Sequence, residues 1–79
     1  MLIKNNSFLK NFGKRLQELR LARNMSQEEL ANTAEIPISQ VGRIERGEIN
    51  TTLVTIKALS DALNIELSVF FKEFDKLSK

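Results

Sequence analysis

The stretch from Ser26 to Gly47, SQEELANTAEIPISQVGRIERG, constrains the fold of this chain more than any other segment. Ser26 and Glu29 form an S-x-x-E capping box, in which the hydroxyl serves an orphan amide and the carboxylate reaches back to the Ser26 amide. Leu30, Ala31 and Ala34 make one inner face behind that cap. After a short turn, Pro37 lacks an amide proton and suits the first turn of another helix, and Gly47 closes its far end. Within those limits Ile38, Val41 and Ile44 recur every three residues and point inward. Ser39, Gln40, Gly42, Arg43 and Arg46 are left outside. The segment is two short helices joined by a tight turn.

Elsewhere the periodicity is also helical. Phe8, Phe12, Leu16 and Leu19 predict an amphipathic helix over about residues 7–23, with Asn24 suited to the left-handed residue that ends it. Thr51 or Thr52 caps a fourth helix whose inner face is Leu53, Ile56, Leu59 and Leu63, and Asn64 ends it. A fifth helix runs over about 66–77, with Leu67, Phe70, Phe71, Phe74 and Leu77 on one side. No sustained alternation argues for strands. The expected fold is all-α, a compact five-helix domain, and the 79 residues leave room for one such domain over 1–79.

Composition narrows the chemistry. All five aromatic residues are Phe, so the core must be built mainly from Leu, Ile, Val and Ala. His and Cys are both absent, which removes the commonest acid–base catalyst and metal ligands. Asp61 and Asp75 fall on different helices with no clustered partner, and no Gly-rich phosphate loop occurs. An enzyme, a metal site and a cofactor site are not expected. No run is apolar enough for a membrane span, and MLIKNNSF is too short and polar for a secretory signal, so the expected compartment is the cytoplasm. Net charge is only +2, yet residues 1–23 carry Lys4, Lys10, Lys14, Arg15, Arg20 and Arg23 against Glu18 alone. That basic stretch could lie near phosphates, although Lys10, Lys14 and Arg15 are more ordinarily solvated charges.

A helix-turn-helix makes specific demands. Its helices cross closely, so the residue at the crossing must be small, as Ala31 is. Apolar residues must lock the angle around a short turn, as Ile36, Val41 and Ile44 do. Such a pair places its second helix in the major groove of DNA.

From about Phe12 to Phe71 the chain resembles the phage repressor and Cro family of helix-turn-helix domains, also described as the xenobiotic response element family of regulators. The stretches FGKRLQELRLARNMSQEELA, ISQVGRIERG and TIKALSDALNI carry the resemblance, with SQEELA and IERG the most specific pieces. It implies a lambda-repressor-like domain whose third helix reads double-stranded DNA, usually as a homodimer on a pseudo-palindromic operator. Ile38, Ser39, Gln40 and Arg43 match positions from which the recognition helix touches bases. Arg43 has the sharpest chemistry, because a guanidinium pairs bidentately with guanine O6 and N7. Gln27 matches a phosphate contact at the start of the second helix, and Arg46 and Asn50 suit backbone contacts. Arg20 and Glu45 match an ion pair that ties the first helix to the third.

The sequence departs from the family pattern at two places. Glu35 stands where Gly is common in the turn. Gly42 stands on the expected exposed face, where a larger polar residue is common. Gly42 and the low net charge lend some support to an alternative reading, a helix-turn-helix scaffold or antitoxin used for protein–protein binding. The Phe70, Phe74 and Leu77 side of the last helix is expected to leave apolar surface for an isologous dimer. No small-molecule ligand is indicated.

Overall fold

In the computed structural model, residues 6–72 are described. They form five helices and no strand: α1 (Asn6–Ala22), α2 (Gln27–Ala34), α3 (Ile38–Glu45), α4 (Leu53–Ala62) and α5 (Ser68–Phe71). None of these helices is long and apolar enough to cross a membrane. Phe12 and Leu16 of α1, Leu30, Ala31 and Ala34 of α2, and Val41 and Ile44 of α3 meet in one core. Ile56, Leu59 and Leu63 complete it from the α4 side, and Phe70 from α5.

Local chemistry sets where each helix starts and stops. Both halves of the Ser26–Glu29 capping box are present, with Glu29 N–H donating to Ser26 Oγ and Ser26 N–H to Glu29 Oε1. Thr52 caps α4 by accepting from the Thr55 amide, so the cap is Thr52 and not Thr51. Pro37 lies just before α3 in an extended conformation, one residue earlier than its expected place in the first turn. Four helices end the same way, with a left-handed residue at Asn24, Glu35, Gly47 or Asn64. Each end closes with paired backbone bonds; after α2, Glu35 N–H reaches Asn32 O and Ile36 N–H reaches Ala31 O. Glu35 therefore keeps the left-handed turn at φ 61°, at a backbone cost of roughly 1–2 kcal/mol relative to glycine.

Gly13 decides how α1 meets α3. A Cβ at Gly13 would lie 2.3 Å from the Ile44 carbonyl oxygen and 2.5 Å from that of Glu45. The end of the third helix thus rests directly on the first helix's backbone. Gly47 is constrained twice, by φ +72° and by the Lys10 backbone 2.8 Å from where its Cβ would be.

Two expectations about faces are corrected. Leu53, expected inside, is 77% exposed, because it lies one turn before the packed face of α4 and no described residue covers it. Phe70, expected on a dimer surface, is fully buried. Its ring packs 5.1 Å from that of Phe12, with Phe71 stacked on Phe12 at 5.7 Å. The last helix spans Ser68–Phe71 within the described residues, and Phe74 and Leu77 lie outside them.

Candidate nucleic-acid interface

The third helix presents its outer side to solvent between two fixed ends. Ser39 and Arg43 are exposed and Gln40 is half-buried. Ile38, read as inward from its spacing, is 51% exposed, because it is the first residue of α3 and precedes the turn that carries Val41 and Ile44 into the core. Ile38, Ser39 and Arg43 thus offer an apolar side chain, a hydroxyl and a guanidinium, the chemistries that recognise a thymine methyl, either polar base edge, and guanine.

What holds that helix in place is a buried polar knot. Arg20 Nε donates to Glu45 Oε2 at 2.6 Å and Arg20 Nη2 to Glu45 Oε1 at 3.2 Å. A third arm, Nη1, donates to the Met25 carbonyl at 2.7 Å. Arg20 and Glu45 are 7% and 9% exposed, so the bonds form away from water. Gln27, expected as a phosphate contact, also donates its Nε2 to Glu45 Oε1 at 3.0 Å. One N–H of its side-chain amide is therefore tied to the knot, and beside it the first backbone N–H groups of α2 have no partner within the helix. The first three helices are coupled through one carboxylate.

Gly42 is not on the exposed face. It is buried beneath Gln27 and Arg46, whose Oε1 and Nη1 lie 3.7 and 3.0 Å from the place a Cβ would take. A larger residue there would press on those two side chains and would not add a base contact. Gly42 consequently lends no support to loss of DNA contact.

Beyond the helix, Arg46 pairs with Glu48, Nε to Oε2 at 2.7 Å and Nη2 to Oε1 at 3.3 Å. Arg43 Nε lies 3.9 Å from the same carboxylate. The Arg46 hydrogen bond holds the Glu48 carboxyl below its ordinary pKa, and the same bond raises that of Arg46. Asn50 is exposed in the loop that follows.

Much of the basic charge on α1 and just after it serves the fold. Arg15 donates to the Val69 carbonyl at 3.1 Å and to the Lys72 carbonyl at 3.2 Å, capping the short last helix. Arg23 donates to the Asn64 carbonyl at 3.2 Å. Sequence reasoning missed Arg15, Glu48 and Gly13. Only Gly13 left a usable sign, a glycine between Phe12 and Leu16 on an inner face, which marks a close approach. Arg15 and Glu48 act across turns and chain distances that no local pattern records.

Comparison with known proteins gives concordant matches. A family model described as helix-turn-helix matches residues 16–70. The structure of the restriction-modification controller protein C.AhdI from Aeromonas hydrophila superposes with a TM-score of 0.79 at 48% identity, over 80% of this chain and 96% of that one. The control protein C.BamHI of Bacillus amyloliquefaciens is 38% identical over 56 residues, 70% of this chain and 69% of its own length. The immunity repressor protein of Bacillus phage phi105 is 34% identical over 61 residues, 77% of this chain but 42% of the repressor.

Proposed function

The chain belongs to the helix-turn-helix family, and on that footing we propose that it is a sequence-specific DNA-binding transcriptional regulator of the restriction–modification controller type, acting in the cytoplasm. The observation that carries the reading is the third helix, whose exposed Ile38, Ser39 and Arg43 stand on a base locked by Arg20, Glu45 and Gln27. Side chains on so fixed a helix reach base edges in a defined register, with half-buried Gln40 beside them. Amide groups at the start of α2, together with Asn50, flank the helix as phosphate partners. Likeness to the controller C.AhdI along nearly all of its length supports the controller role over the other members of the family.

The reading is tested by salt titration on duplex DNA, with an operator selected from a random pool. Log K should fall with log salt by roughly 0.9 for each phosphate neutralised. Arg43→Ala should weaken the selected site by about 1–3 kcal/mol and leave mixed-sequence binding nearly intact. Equal losses on both would assign Arg43 to phosphate. No binding at low salt, even to pooled genomic fragments, would end the DNA reading.

We further propose a homodimer whose recognition helices enter successive major grooves about 34 Å apart, so that the selected operator should be pseudo-palindromic. With Phe70 in the core, the apolar surface left open by the described residues includes Leu53 and Val54, 77% and 79% exposed at the start of α4. Val54→Asp should shift sedimentation toward monomer without lowering thermal stability of the monomeric fold. An unchanged dimer mass would move the interface to another surface.

A further inference from the structure

Glu48 has no role in the reading above, yet the turn that closes α3 fixes its place. Gly47 turns the chain at φ 72°, the Gly47 amide donates to Ile44 O at 3.0 Å, and the Glu48 amide donates to Arg43 O at 2.9 Å. The backbone of Glu48 is thereby fastened to the third helix, and its carboxylate stands beside both arginines of the helix's last turn.

The two arginines meet it differently. Arg46 presents its Nε and Nη2 edge to the carboxylate, and its Nη1 lies back over Gly42. Arg46 is thus turned toward Glu48 along the end of α3, with its side chain still 58% exposed. Arg43 approaches with Nε, at 3.9 Å, and its side chain is 54% exposed, so the edge formed by its two terminal nitrogens is turned to neither the Arg46–Glu48 bond nor the core. That terminal edge is the one a guanidinium uses on guanine O6 and N7. A carboxylate beside Nε narrows the orientations of an otherwise flexible side chain, which lowers the entropy lost when it binds. A negative charge next to the DNA face also repels phosphates of every sequence alike.

Resting on the DNA-reading proposal, we infer that Glu48 is a positioning residue that sets specificity. It aims Arg43 at a base and withholds Arg46 from phosphate, so that binding depends on sequence more than on charge.

Four proteins decide this: wild type, Glu48→Gln, Arg43→Ala and the double variant, each titrated with salt on the selected operator and on a mixed-sequence duplex. Glu48→Gln frees Arg46 for one more phosphate. Mixed-sequence affinity should therefore rise roughly five- to tenfold near 0.1 M salt, with a salt slope steeper by about 0.9. Operator affinity should rise much less, because Arg43 loses its orientation, and discrimination between the two DNAs should fall. In the Arg43→Ala background the same change should raise both affinities by one factor and leave discrimination unaltered. Equal gains on both DNAs in the otherwise wild-type protein would overturn the inference, as would an equal loss of discrimination with and without Arg43. Wild type that binds no DNA would overturn the functional proposal itself, a result distinct from either of those.

Discussion

Glu45→Ala should destabilise the protein by about 3–5 kcal/mol, measured as a shift of the urea midpoint at unchanged slope. The side chain accepts from Arg20 at 2.6 and 3.2 Å and from Gln27 at 3.0 Å. Alanine would leave the Arg20 guanidinium buried with only the Met25 carbonyl to receive it. A buried charge without its counter-ion costs far more than the intact pair contributes, so the loss measures the orphan and not the bridge. Replacing both partners by apolar residues of similar volume should accordingly cost less than removing Glu45 alone. A domain of this length has roughly 4–12 kcal/mol of stability in total, so the single variant should be substantially unfolded on warming. A loss below about 1 kcal/mol would mean that Arg20 and Glu45 behave as a solvated pair.

Phe70→Ala should cost a similar amount, about 3–5 kcal/mol, through lost transfer energy and the cavity left behind. Phe70 is 0% exposed, and its ring sits against Phe12 and edge-on to Phe71 at 6.4 Å. Calorimetry should show the loss equally at low and high protein concentration, because a core residue stabilises each chain separately. Were Phe70 an interface residue, the variant would keep its monomer stability and lose dimer mass. That pattern would contradict the burial. The pair of predictions separates what fixes the recognition helix from what closes the end of the bundle.

The legible part of this protein is local. Helix starts are written in Ser26 with Glu29 and in Thr52, and helix ends in Asn24, Gly47 and Asn64, because caps depend on residues only three or four positions apart. The inner faces of α1, α2 and α3 are written in periodicity, and Phe12, Leu16, Leu30, Ala31, Val41 and Ile44 are buried accordingly. The ion-pair partners Arg20 and Glu45 were legible through resemblance to a family, since twenty-five positions separate them and no local pattern joins them.

Burial at the ends of helices was not legible in the same way. Leu53 and Phe70 fit an apolar stripe equally well, yet one faces water and the other lies in the core. A stripe says which side of a helix is apolar, and only the neighbouring helices say how far along it the cover extends. Gly42 likewise fits the outer arc of α3 by angle, but Gln27 from α2 and Arg46 from the next turn, at the C-cap of α3, lie over it. By itself, then, the sequence determined five helices, most of their caps and a helix-turn-helix at Ser26–Gly47, because those follow from interactions within a few residues. The tertiary structure decided that Phe70 is core, that Arg15 caps the last helix, that Gln27 serves Glu45, and that Glu48 stands between Arg43 and Arg46. Each of those depends on where a turn or a crossing brings one side chain to another, and contacts of that kind leave no period in the sequence.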